Sequence, residues 1–248
     1  MTDSLDADTN IPRMGQSAGV HFLKRDAAFA YSPEVSRHAA RAARVGFYNI
    51  IGKRVLDIAI VALSLPVVVP LIAILILMVR LDGGPGLFGH RRVAKGGQSY
   101  HCWKIRSMVP DAENVLLAHL AADASAAAEW AQKVKLIVDP RITRIGRFLR
   151  KTSLDELPQL WNVLVGEMSI VGPRPVTRPE LDRYGPAMAA YIAVRPGITG
   201  AWQVSGRNST GYADRVALDV DYVRNLGLWL DFLIILRTFK TVLSRTGC

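Results

Sequence analysis

Only two cysteines occur in the 248 residues, Cys102 and Cys248, and neither sits in a paired-cysteine motif. A disulfide framework and the cysteine-rich zinc modules are excluded, and the chain fits a reducing compartment. His90, His101 and His119 share no ligand spacing and are read as structural. No internal repeat is present, and no apolar stretch follows the early charges as it would in a secretory signal. The bulk of the chain is therefore expected on the cytoplasmic side. Acidic residues are outnumbered by basic ones, 21 against 31, for a net charge of +10. That excess favours anionic partners: nucleic acid, acidic lipid headgroups or phosphorylated molecules.

Apolar residues, by contrast, are abundant: half of the chain is hydrophobic. They are concentrated in Val55–Val79, a run interrupted only by Asp57, Ser64, Pro66 and Pro70. As one helix it would reach about 37 Å, more than a hydrocarbon core of about 30 Å. Length alone suggests an ordinary transmembrane helix. Two features favour a re-entrant one. Pro70 removes a backbone hydrogen bond inside the run. Both flanks are basic, Lys53 and Arg54 before, Arg80, Arg91 and Arg92 after, which holds both ends on the cytoplasmic side. The division expected is a flexible basic tail over 1–46, a re-entrant membrane helix over 47–82, and a cytoplasmic domain over 83–248.

The rest of the chain reads as α+β, mainly α. A short helix is expected over 33–45. Asp82–Gly86 is a turn, and Arg91–Ala94 and Ser99–Ile105 flank Lys95-Gly96-Gly97 as a β-hairpin. An Ala-rich helix runs from Pro110 to about Val134, followed by a short amphipathic helix over Ile142–Arg150. Further helices are expected over Glu156–Val165, Arg178–Ile192, Tyr212–Asn225 and Leu226–Leu243, the last suited to the core or to a membrane interface.

Chemistry centres on Thr152-Ser153-Leu154-Asp155-Glu156-Leu157-Pro158. Ser153 with Glu156 matches a capping box, and Asp155 matches an N-cap, so these acids also have a purely structural reading. The other reading uses the cations just before them, Arg144, Arg147, Arg150 and Lys151, which would keep Asp155 ionised and attract phosphates. A carboxylate can attack phosphorus, and a neighbouring one can hold Mg²⁺. Lys104, Arg106, Arg174, Arg195, Arg207 and Gln203 are the remaining candidates, with arginine suited to bidentate phosphate binding. Taken singly, each cation also reads as a surface or headgroup-facing charge.

Several motifs occur in order over about residues 50–245: Lys53-Arg54 with Asp57 and Pro70, Phe88-Gly89-His90-Arg91-Arg92-Val93, Lys104-Ile105-Arg106-Ser107-Met108, Asp139-Pro140-Arg141-Ile142-Thr143, Leu154 through Val163, Gly166-Glu167-Met168-Ser169, Val171-Gly172-Pro173-Arg174-Pro175 and Arg195-Pro196-Gly197-Ile198-Thr199-Gly200. Together they resemble the bacterial sugar transferases, the monotopic polyprenyl-phosphate phosphoglycosyl transferases, and among them the undecaprenyl-phosphate galactose or glucose phosphotransferases of exopolysaccharide synthesis. The resemblance implies a nucleophile at Asp155, Mg²⁺ on Glu156, basic site residues at Lys104 and Arg174, and a membrane helix broken at Pro70. It implies UDP-hexose and polyprenyl phosphate as substrates, membrane lipids as surroundings, the inner membrane's cytoplasmic face as location, and room for a homodimer. Ala94, Val69 and Ile105 depart from the usual Gly, Ser and Phe, and none touches the acid pair. Larger relatives carry additional N-terminal membrane helices, so the expectation here is the catalytic module alone. The alternative is a non-catalytic membrane adaptor of a polysaccharide synthesis or export complex, which needs the apolar helix but no ordered acid pair. Nucleic-acid binding is suggested by charge alone, and the apolar run argues against it.

Overall fold

A computed structural model describes residues 32–43, 46–133, 136–205 and 211–243. Residues 1–31 of the expected tail, the expected helix end at Val134 and the candidate Arg207 lie outside the described residues.

The apolar run forms one helix. A π-helical turn, Tyr48–Gly52, leads into Lys53–Arg80, numbered α2 after a first helix α1, Pro33–Ala42. Pro66 and Pro70 lie inside α2, and the backbone stays helical through both, so the break expected at Pro70 does not divide the helix. Pro70 lacks the N–H that would have reached the carbonyl of Pro66, and one missing bond of this kind bends a helix without ending it. Among the described residues this is the one helix long and apolar enough to cross a membrane.

α2 is buried along a single stripe. Lys53, Asp57 and Val61 are buried near its start and Leu75 and Val79 near its end, four residues apart within each group. Leu63, Val67, Ile74 and Leu77 lie exposed on other faces. The first group is tied down by polar bonds. Lys53 pairs with the buried Asp231 at 2.6 Å, and Asp57 accepts from the Ser169 hydroxyl at 3.0 Å and the Ile170 amide at 2.9 Å. Arg54 donates to the carbonyls of Val163 and Leu164. The second group packs against Ile105 and Leu149, and Arg106 donates to the Val79 carbonyl at 3.0 Å.

The hairpin pairs β1, Leu87–Val93, with β2, Ser99–Ile105, antiparallel from Leu87↔Ile105 to Val93↔Ser99. β1 begins earlier than its apolar content suggests, because cross-strand pairing, not hydrophobic alternation, holds Phe88 to Arg91 in the ladder. Gly96 and Gly97 at the turn have φ of 78° and 83°, open to glycine at little cost. A second sheet, absent from the sequence reading, joins β3, Ser169–Val171, to β4, Gly197–Thr199, in parallel. Only a glycine fits at 197, since a Cβ there would lie 2.1 Å from the Gly172 amide nitrogen.

Two expected helices are each divided. The Ala-rich segment becomes α3, Ala112–Ala122, and α4, Ala124–Lys133. Between them Asp123 accepts from the amides of Ser125 and Ala126 and starts a new helix. The 178–192 segment becomes α7, Arg178–Asp182, and α8, Met188–Ala193, parted by Gly185 at φ 53° and Pro186. In between lie α5, Arg144–Thr152, capped by the Thr143 hydroxyl, and α6, Gln159–Val165. α9, Ala201–Val204, α10, Tyr212–Arg224, and α11, Leu228–Leu243, follow β4. The largest core gathers Tyr184, Tyr191, Tyr222, Leu181, Val216 and Ile234, and takes in Ala39 of α1. α11 buries Asp231 and Ile234 while Trp229, Phe232, Leu236 and Phe239 stay exposed. The observed fold is thus mostly helical with two small sheets.

Candidate active site

The acid pair does not cap a helix. Ser153 ends α5 in the left-handed conformation, φ 58°, with its amide turned back to the Arg150 carbonyl. For a residue with a Cβ this costs about 1 kcal/mol. Leu154–Glu156 then make one 3-10 turn, and α6 starts from Pro158. Neither the Ser153–Glu156 capping box nor an Asp155 N-cap is formed.

Across from this turn stands the end of β2. Asn162 of α6, completely buried, accepts from the Trp103 amide at 3.1 Å and donates to the His101 carbonyl at 2.8 Å. It thereby fixes the strand against the turn. The next residue, Lys104, places its ammonium 2.6 Å from Glu156 Oε1 and 3.8 Å from Asp155 Oδ2. Burial pushes the Asp155 carboxyl above the usual range, and Glu156 adds to this. The Lys104 and Arg150 cations act in the opposite sense and favour the ionised form. Arg150 is held by its Nε bond to the Ser107 hydroxyl at 2.8 Å.

Asp155 and Glu156 line a cleft of about 700 Å³. One wall is the hairpin, through Phe88, His90, Arg92 and Lys104; another is formed by Arg174, Trp202 and Gln203. Arg174, fixed between Pro173 and Pro175, lays its guanidinium over the Trp202 ring at 5.5 Å and lies in the field of Glu156. Gln203 donates to the Ile198 carbonyl at 2.8 Å.

The other sequence candidates are placed differently. Arg106 lines the cleft, but its guanidinium donates to the carbonyls of Pro85, Met108, Val79 and Gly83, so it braces the loop after α2. Arg147 points to solvent on α5 and is not part of the cleft lining. Arg195 donates to the Gly166 carbonyl at 2.7 Å, beside Arg54 at the start of α2 and away from the cleft lining. Pro70 is exposed on α2. Conversely, His90, read from sequence as structural, faces the cleft, as do Phe88, Arg92 and Trp202. The signal was the two-residue alternation Phe88, His90, Arg92, which puts all three on one face of a strand.

No group of three or more His, Cys, Asp or Glu side chains placed to hold a metal ion occurs among the described residues. Mg²⁺ needs less, since it binds through one or two carboxylates and completes its shell with water and substrate phosphate. Asp155 and Glu156 already share one cation, the Lys104 ammonium, and their donor set fits such an ion.

Comparison with known proteins gives the family to which the chain belongs. The chain is 46% identical over 238 residues to the UDP-galactose-lipid carrier transferase of Erwinia amylovora, covering 92% of this chain and 48% of that protein. It is 50% identical over 195 residues to the undecaprenyl-phosphate galactose phosphotransferase of Salmonella typhimurium, covering 79% and 41%. It is 45% identical over 196 residues to the exopolysaccharide production protein ExoY of Rhizobium meliloti, covering 79% and 87%. The chain thus spans about half the length of the first of these relatives. The family model described as bacterial sugar transferase matches residues 48–245, and the chain belongs to the bacterial sugar transferase family.

Proposed function

We propose that the chain transfers a hexose-1-phosphate, galactose or glucose, from a UDP-sugar to undecaprenyl phosphate, and so begins a glycan repeat unit of the exopolysaccharide kind. The observation that carries this is the Lys104-bridged pair Asp155 and Glu156, reachable from a basic cleft. The names of the relatives favour the same substrates.

In the first step an Asp155 carboxylate oxygen attacks the sugar-bearing phosphorus, the bond to the UMP oxygen breaks, and UMP leaves with the electron pair. In the second, an oxygen of undecaprenyl phosphate attacks the same phosphorus. The bond to Asp155 breaks, its carboxylate is restored, and undecaprenyl diphosphate hexose is released. Lys104 keeps Asp155 ionised and faces the negative charge that builds on the phosphoryl oxygens. Arg174, pre-set on Trp202, offers a second cation on the opposite wall. Glu156, together with Asp155, would hold Mg²⁺, which supplies charge neutralisation to the diphosphate.

The same reading seats the domain on the cytoplasmic face of the bacterial inner membrane, with α2 re-entrant. What supports it is that both ends of α2 are anchored to one small domain, Lys53 and Asp57 to α11 and β3, and Val79 to Arg106. An upright span would have to release one set. The exposed Trp229, Phe232, Leu236 and Phe239 suit an interface.

The test is UMP release by the purified chain in lipid, with radiolabelled UDP-galactose and UDP-glucose and undecaprenyl phosphate. Label from the sugar should appear on the protein when acceptor is withheld, and turnover should stop in excess EDTA. Turnover without protein labelling would remove the covalent step, and full activity in EDTA would remove the metal.

A further inference from the structure

Two cleft side chains have no part in the transfer just described. Phe88 and His90 lie on the cleft face of β1, and Phe88 stands directly opposite Lys104 in the hairpin register. Paired strand residues hold their Cβ atoms about 5 Å apart, and the next residue on the same face is about 7 Å further along. A group bonded to a phosphorus beside Lys104 and Asp155 and lying along the hairpin meets Phe88 first and His90 next. On the transferase reading that group is the sugar.

The two side chains suit a sugar and not a phosphate. A hexose offers an apolar face of C–H bonds and a rim of hydroxyls. Phe88 presents an open ring, 53% exposed, and meets the His90 ring edge-on with centroids 6.0 Å apart. His90 Nδ1 lies 3.4 Å from an Arg92 guanidinium nitrogen. A guanidinium only donates, so Nδ1 accepts, and the neutral ring carries its hydrogen on Nε2. Partial burial and the nearby Arg92 and Lys104 cations hold the imidazole below its ordinary pKa and keep it neutral. Arg92 is itself fixed by Glu180 at 3.0 Å, and Glu180 is locked in a capping box with Thr177 at the start of α7. The chain of contacts Thr177, Glu180, Arg92 and His90 thus orients one N–H donor.

We infer that Phe88 and His90 form the hexose-recognition wall of the cleft, Phe88 against the apolar face of the sugar and His90 Nε2 donating to one of its hydroxyls. This rests on the transferase reading and extends it to sugar choice. A single oriented hydrogen bond is enough to separate epimers, since the wrong epimer leaves the donor unmatched.

The experiment measures kcat/KM with UDP-galactose, UDP-glucose and UDP-N-acetylgalactosamine, and the inhibition constant of UMP, for the full chain in lipid. His90→Ala should shrink the ratio between the preferred and the next sugar about tenfold, with His90→Gln intermediate because its amide can still donate. Phe88→Leu should lower kcat/KM for every sugar about tenfold, as expected for a lost face of contact. The UMP constant should move less than twofold in all three, and thermal unfolding should match the unaltered chain. A sugar ratio unchanged in both His90 variants, an unaltered chain that does not discriminate, or a UMP constant that weakens as much as kcat/KM would overturn the inference. Absence of UMP release from any of the three by the unaltered chain would instead overturn the transferase reading, and this inference with it.

Discussion

Two lysines in this protein each serve two carboxylates, and they are used in opposite ways. Lys53 sits 2.6 Å from Asp231, with side-chain exposures of 11% and 1%. Asp231 also accepts from the hydroxyls of Tyr48 and of Tyr222, the latter at 2.8 Å, and Lys53 lies in the field of Asp57. Lys104 sits equally close to Glu156, but both side chains are 28% exposed, and Asp155 stands back at 3.8 Å. The first cluster is sealed by ring hydroxyls and joins α2 to α11. The second opens on a cleft, behind a backbone turn that Ser153 holds in a disfavoured conformation. The residue types are the same. Access, and a carboxylate whose own partner is not in hydrogen-bond contact, separate a strut from the candidate active site.

The comparison breaks most sharply at Asp155. Asp155→Asn should lower turnover about 10⁴-fold or more, because an amide cannot form the acyl phosphate. Its thermal midpoint should equal or exceed that of the unaltered chain, since burial holds the folded pKa of Asp155 above its unfolded value and ionisation at neutral pH therefore lowers stability. Near-normal UMP release by this variant would take Asp155 out of the mechanism. At the other lysine, Lys53→Met should reverse the pattern. It leaves Asp231 buried without its cation and should destabilise by about 3–5 kcal/mol, read by denaturant unfolding in detergent. The activity of the fraction still folded should remain near normal.

A smaller effect sharpens the second cluster. The acid limb of kcat/KM should lie above the ordinary aspartate range, about 3.9, because protonation of Asp155 removes the nucleophile and burial raises its pKa. Lys104→Gln removes the largest opposing influence, so the limb of its residual activity should move to higher pH. A limb that stays in place would assign it to another group. The least effect is expected at Ser153. Ser153→Gly relieves the left-handed backbone and should stabilise by up to about 1 kcal/mol with turnover little changed. A loss of stability would show that the Ser153 side chain contributes more than its conformation costs.

Local signals carried well where a residue's role depends on its near neighbours. The apolar run became α2, the Gly96-Gly97 turn became a hairpin, and the amphipathic 142–150 segment became α5 with its boundary moved to the Thr143 cap. They failed where a short-range bond competes with a longer pattern, as at Asp123, and where pairing joins distant segments, as in β3 and β4. Among the cations the limit was direction. Arginine suits phosphate, but it also suits the unpaired carbonyls at helix and loop ends, which is what Arg54, Arg106 and Arg195 satisfy.

The sequence by itself determined that an apolar helix with basic flanks precedes a small mixed domain, and it singled out Asp155, Glu156, Lys104 and Arg174 as candidates, because composition, periodicity and ordered motifs are properties of the chain alone. Only the tertiary structure decided that Lys104 lies between the two acids, that His90 faces the cleft, and that both ends of α2 dock on one domain. Those facts rest on Asn162 pinning β2 to α6 and on cross-strand register, contacts between residues tens of positions apart. Which of many compatible partners such a residue takes is settled only when the whole core packs and each buried polar group finds its bond.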